Sequence, residues 1–144
     1  MRMIGFVGFS LISLFLIIGC GKSNSDINST VQEGAAGGNI IVHVSDGQPS
    51  SQPIYTWEDS NNDTTAEEIA VAKTSDLNTI VWGVHSSNVN NNDIPSPRQQ
   101  GKTGGFDTAF VTTEITLQSN IEYRVTITKA GGTPSGFRNF TITQ

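Results

Sequence analysis

From Asn39 onward, apolar and polar residues alternate in short runs separated by clusters of turn-forming residues. Ile40, Val42 and Val44 share one parity, and Asp46, Gly47 and two prolines end that run. Pro53 to Trp57 reads as a second strand, stopped by the polar stretch from Asp59 to Thr65. Ile69 and Val71 mark a third, and Thr79 to His85 a fourth with Ile80, Trp82 and Val84 on one face. Beyond a long Asn-, Pro- and Gly-rich connection from Ser86 to Gly105, alternation resumes. One run passes through Val111, Thr113, Ile115 and Leu117, the next through Ile121, Tyr123, Val125 and Ile127, and Phe140 and Ile142 close the set. A period of two sends alternate side chains to one face, so each run predicts a half-buried strand. About seven such strands with turn signals between them predict an antiparallel β-sandwich. The segment Thr65–Lys73 is rich in Ala and Glu and could form a helix, but it is short for one. Ile69 and Val71 fit period two, which favours a strand after an acidic turn.

The first 20 residues break this pattern, holding 14 of the 51 apolar residues of the chain. Met1-Arg2 supplies a basic start, and Ile4 to Ile18 is apolar apart from Gly and Ser. That layout is a secretory signal peptide, and the run is short of the roughly 20 residues that span a bilayer. It ends in Ile17-Ile18-Gly19-Cys20, which resembles the lipobox of bacterial lipoproteins. The resemblance implies cleavage after Gly19, diacylglycerol on the Cys20 sulfur and an acyl chain on the new amine. Two or more chains make a durable anchor, since each buried methylene contributes about 0.8 kcal/mol. Gly21, where an inner-membrane retention signal would carry Asp, favours the outer membrane. Residues 21–38 are rich in Ser, Asn and Gly and poor in large apolar side chains. They are expected to form a flexible tether with a root-mean-square span of roughly 25 Å. The chain thus divides into a signal peptide at 1–19, a lipidated Cys20 and tether at 20–38, and a sandwich domain at 39–144.

The stretch Leu117 to Ile127, with Tyr123 six positions after the leucine, resembles the most recognisable part of a fibronectin type III domain. The resemblance implies a tyrosine corner: the ring packs in the core while the hydroxyl bonds backbone across the preceding connection. Trp57 matches the core tryptophan of that fold, and Thr133 to Gly136 the loop before its last strand. Trp82 and the long connection after it depart from the pattern, which leaves a looser immunoglobulin-like sandwich open. The chain is also similar to short domains of bacterial lipoproteins in Tyr55/Trp57, Val81-Trp82 and Ile94-Pro95-Ser96-Pro97. Trp57, Trp82, Leu117 and Tyr123 are the expected fold-defining core.

Charge and candidate chemistry narrow the function classes. Beyond residue 20 there are 7 basic and 13 acidic residues, with no Lys/Arg cluster, so a nucleic-acid partner is not expected. A single cysteine excludes an intrachain disulfide and a cysteine-based zinc site. Asp59, Asn61 and Asp63 have the spacing that opens a calcium loop, yet Thr64 and Ala70 stand where that loop needs Gly and Glu. A looser site using Glu67 or Glu68 stays open beside a plain solvated turn. Gly101-Lys102-Thr103 resembles a phosphate-binding loop, but Ser96 replaces its first glycine. His43 and His85 lie on the parity opposite their apolar neighbours and are expected outside the core. Ser86 and Ser87 adjoin His85 without a nucleophile elbow. The aromatic residues could include a sugar-stacking platform, although a sandwich this poor in apolar residues needs its tryptophans inside.

The long connection from Ser86 to Gly105 is expected to lie outside the core, with Arg98, Lys102 and Phe106 as candidate ligand contacts. The expected function is a non-enzymatic, lipid-anchored envelope module acting in binding, adhesion or structure, without a cofactor. Its partners would be the membrane, through the anchor, and a protein or glycan. The alternatives are a small envelope hydrolase, a carbohydrate-binding protein or a calcium-binding sandwich.

Overall fold

A computed structural model describes residues 29–143 apart from Val89 and Phe106. The signal peptide, Cys20, most of the expected tether and the candidate contact Phe106 lie outside the described residues. The described chain is all β. Its strands are β1 (Thr30–Gly38), β2 (Ile40–Ser45), β3 (Ile54–Asp59), β4 (Thr65–Ala66), β5 (Glu68–Lys73) and β6 (Asp76–Ser86). They continue with β7 (Ile94–Pro95), β8 (Arg98–Gln99), β9 (Asp107–Thr112), β10 (Glu122–Thr128) and β11 (Ser135–Thr143). A six-stranded antiparallel sheet runs β1-β11-β10-β5-β6-β9, and a three-stranded sheet runs β2-β3-β8. A small β4-β7 pair stands beside them. The two main sheets enclose one core, the β-sandwich that period two predicts.

Parity accounts for most of that core. Ile40, Val42 and Val44 of β2 are buried while Ile41 and His43 face out. Tyr55 and Trp57 of β3, Ile69 and Val71 of β5, and Tyr123, Val125 and Ile127 of β10 fill the interior with Phe140 and Ile142 of β11. Tyr55 lies edge-on to Phe140, which stacks on Tyr123, so three strands meet through rings. Thr65–Lys73 contains no helix.

Four sequence expectations are corrected. Half of the expected tether is strand: Thr30 to Gly38 pairs with β11 from Thr30↔Thr143 to Gly38↔Gly136. The strand hides from a hydrophobicity pattern because Val31 is its one side chain packed on the core. Its order comes from backbone pairing and from caps such as Asp46 Oδ1, which accepts from Val31 N. In β6, Val71 pairs with Trp82 but Ala72 with Ile80, so Val81 is an inserted bulge residue. The bulge turns both Val81 and Trp82 into the core and leaves Ile80 only half-buried. The alternation Val111–Leu117 is not one strand. The chain leaves the sheet after Thr112, Glu114 N donates to Val81 O, and Ile115 stays 45% exposed while Leu117 is buried.

The fourth correction concerns the long connection. It is part of the core, because β7 and β8 lie within it and Ile94 and Gln100 are both fully buried.

Candidate functional site

Tyr123 forms the corner that the fibronectin resemblance implied. Its ring is fully buried, its hydroxyl accepts from Gln118 N at 3.1 Å, and it donates to Glu114 Oε2 at 3.1 Å. Burial, together with the Glu114 carboxylate, pushes the phenol up to about 12 although the Gln118 amide works against the rise. Trp57 and Trp82 are 2% and 1% exposed, which makes both of them core and not stacking surfaces.

The candidate contacts on the long connection separate. Arg98 turns inward, with its Nε 3.3 Å from Asp107 Oδ2 and side-chain exposures of 13% and 0%. Asp107 also accepts from Gly104 N. Desolvating both charges makes this pair a structural clasp between β8 and β9. Lys102 is exposed. The structure therefore removes Arg98 from the expected contacts because its charge is spent on Asp107.

The acidic turn after β3 holds a cation supplied by the chain itself. Lys129, 3% exposed, follows β10 and places Nζ 2.6 Å from Asp63 Oδ2 and 3.5 Å from Asp59 Oδ2. Asp59 Oδ1 accepts from Asn61 N and Asp63 N, which folds the turn around its carboxylates. The Lys129 ammonium, followed by donation from the Thr65 hydroxyl and amide, lowers Asp63 to about 2. The two carboxylates that suggested calcium thus hold an ammonium, and Asn61 contributes only its backbone amide to Asp59. Among the described residues, no group of three or more His, Cys, Asp or Glu could hold a metal ion. Lys129 was legible in principle: positions 123, 125, 127 and 129 share the inward parity of β10.

A groove of about 280 Å³ opens on the outer face of β2 and β3. Outward parity brings Ile41, His43, Thr56 and Glu58 to its walls through the cross-strand pairs Ile41↔Glu58 and His43↔Thr56. Thr64 and Ser96 close the other side. Ser96 is held there because its Oγ accepts from Trp57 N at 3.2 Å and its amide donates to Thr64 O at 2.9 Å. Hydroxyls, a carboxylate and an imidazole suit a small polar ligand. His43, Trp57, Thr64 and Ser96 were each considered from the sequence for other reasons, but not as one site, because the lining comes from β2, β3 and two separate connections. His43 Nδ1 lies 3.4 Å from Glu33 Oε1, an ion pair when the ring is protonated.

His85 and Ser86 are each engaged with backbone groups and not with one another's side chains. His85 Nδ1 lies 2.8 Å from Ser86 O, which fixes that nitrogen as the donor. Ser86 Oγ donates to Asn88 O at 3.0 Å and accepts from Asn88 N at 3.1 Å, so it builds the turn that follows β6. The imidazole packs on Phe110 with ring centroids 5.7 Å apart.

Comparisons of the chain with protein-family models, with curated proteins and with solved structures found no match.

Proposed function

We propose that this chain is a lipid-anchored protein of the bacterial cell envelope, seated in the outer membrane, whose fibronectin type III-like sandwich binds a protein or glycan without catalysis. The observation that carries the reading is the Ile17-Ile18-Gly19-Cys20 motif, and the direction of β1 sets the orientation such an anchor would impose. The strand starts at Thr30, only ten residues after Cys20, and ends at Gly38 against Gly136. Ten residues reach at most about 36 Å, so an anchor at Cys20 keeps the Thr30 end of the sandwich near the lipid. Strand order then fixes what faces away. β5 begins, and β6 and β10 end, on the side of Gly38, at Glu68, Ser86 and Thr128. The turn after β3 and the segments after β6 and β10 therefore emerge together at the remote end.

Those connections are tied to one another. Lys129 grips the turn after β3, and Ala130 N donates to Asn92 Oδ1 at 2.7 Å. Asn90 N donates to Glu67 Oε1 at 2.8 Å. Loops on a rigid scaffold are where binding surfaces of sandwiches sit. The tyrosine corner and the order β11-β10-β5-β6 opposite β2-β3-β8 support the fibronectin-like assignment.

Two measurements test the reading on the full chain. Cys20→Ser should abolish fatty-acid labelling and partition into the detergent phase, and unchanged labelling refutes the anchor. Incubation with ester, peptide and glycoside substrates should show no turnover, and turnover removed by one point substitution refutes the non-enzymatic assignment.

A further inference from the structure

Of the open strand stretches longer than two residues, all but one have backbone groups engaged by side chains. On β1, Asp46 Oδ1 takes Val31 N, and Arg138 Nη1 donates to Gly34 O at 3.3 Å. On β2, Glu33 Oε1 takes Val44 N and Arg138 Nε donates to Val42 O at 2.8 Å. On β3, beyond the short pairing with β8, Ser96 Oγ takes Trp57 N. Such caps matter because an open edge is a template for a further strand.

β9 is the exception. It forms the outer edge of the six-stranded sheet and pairs only with β6. Its first residue, Asp107, is turned inward onto Arg98. The remainder, Thr108-Ala109-Phe110-Val111-Thr112, carries no charge, proline or glycine. Among the described residues, no side chain bonds the backbone of this stretch. Phe110, 40% exposed, is the inserted residue of a bulge between the pairs Gly83↔Val111 and Val84↔Ala109.

We propose that β9 is a self-association edge, along which two copies of this chain pair antiparallel about a two-fold axis through Phe110. The sequence is self-complementary in that arrangement: Thr108 faces Thr112 of the second copy, Ala109 faces Val111, and Phe110 faces itself. Aromatic pairs and threonine pairs directly opposite each other stabilise antiparallel ladders, and like charges there destabilise them. An uncharged strand meets its own copy without repulsion, even in a chain of net charge −5. A bulge ordinarily discourages a foreign strand, but a copy brings the same bulge to the axis. The contact is isologous and closed, so it stops at two. The inference stands apart from the lipid-anchor reading.

The test is sedimentation of the full chain in detergent. The wild type should be a reversible dimer. Thr108→Lys/Thr112→Lys and Thr108→Glu/Thr112→Glu, both at exposed positions, should each raise the dimer dissociation constant by about tenfold or more. An equimolar mixture of the two variants should dimerise again. A monomeric wild type, an unchanged constant in the Lys variant or a mixture that stays monomeric overturns the proposal. Should the charged variants fail to fold, Phe110→Cys in a Cys20→Ser chain decides: oxidation should link two copies, and an unlinked product overturns it.

Discussion

Tyr55 Oη donates to Gln100 Oε1 at 2.6 Å, and both side chains are fully buried. Gln100 Nε2 in turn donates to Glu114 O at 2.8 Å. One amide thus satisfies a phenol on β3 and a carbonyl on the segment that leaves β9, and it does so from within the connection between β6 and β9. Burial first, and the nearby Tyr123 second, push the Tyr55 phenol well above its ordinary value, so it stays a neutral donor.

The pair makes a double-mutant cycle informative. Tyr55→Phe or Gln100→Leu alone should cost about 1–3 kcal/mol, because each leaves buried polar atoms without a partner. The double variant should cost less than the sum, since removing both partners removes the penalty. Chemical denaturation of the four proteins measures the coupling.

Tyr123→Phe keeps the ring and deletes the corner hydroxyl. Gln118 N and Glu114 then lose a partner, and the expected loss is about 1–3 kcal/mol. The folded phenol is raised to about 12, so the stability linked to its proton is full below pH 10 and falls as pH rises toward 12. Thermal melts at alkaline pH should show a steeper decline in the wild type than in Tyr123→Phe, which keeps only the contribution of the buried Tyr55 phenol. Trp57→Ala should cost about 3–5 kcal/mol by opening a cavity.

Replacing residues 89–102 by a short Gly-Ser link should unfold the domain. The deletion removes Ile94 from the core, Gln100 from Tyr55, Ser96 from Trp57 and Arg98 from the buried Asp107. Ile94→Ala alone should cost about 2–5 kcal/mol in a urea titration.

These residues mark where the sequence was legible and where it was not. Trp57, Trp82, Leu117 and Tyr123 were placed in the core from alternation and from the fibronectin resemblance, and all four are buried. Parity works where a strand has one wet and one dry face. It fails at β1, a Gly- and Ala-rich edge held by backbone pairs, and at β6, where Val81 shifts the phase by one residue. It misreads Thr113 to Leu117 because the chain leaves the sheet after Thr112 and Ile115 packs across Gly101, where its side chain fills the space a Cβ would need. Composition misjudged the long connection: Ile94 and Gln100 are two buried residues in a segment otherwise dominated by Asn, Ser, Pro and Gly. The groove lined by His43, Glu58, Thr64 and Ser96 was hidden for a different reason. Its walls come from residues far apart in the chain, brought together by the register of β2 on β3 and by the bonds of Ser96 to Trp57 N and Thr64 O.

The Lys129–Asp63 pair predicts an asymmetric response to substitution and to acid. Asp63→Asn should be the costly change, about 3 kcal/mol, because it strands a buried ammonium with Asp59 3.5 Å away. Lys129→Met should cost less. It fills the same space without charge and leaves Asp63, whose side chain is 44% exposed, free to be hydrated. Asp63 is lowered to about 2 from an ordinary 3.8, so the folded state binds its proton more weakly than the unfolded chain does. The stabilisation is complete above about pH 4 and is lost as pH falls toward 2, and solvent screening limits it to about 1 kcal/mol. Asp59 is lowered in the same direction, mainly by the amides of Asp63 and Asn61, and steepens the same acid limb. Denaturation midpoints between pH 5 and pH 2 should therefore fall more steeply in the wild type than in Lys129→Met. Equal slopes in the two proteins would show that the ammonium does not set the Asp63 titration.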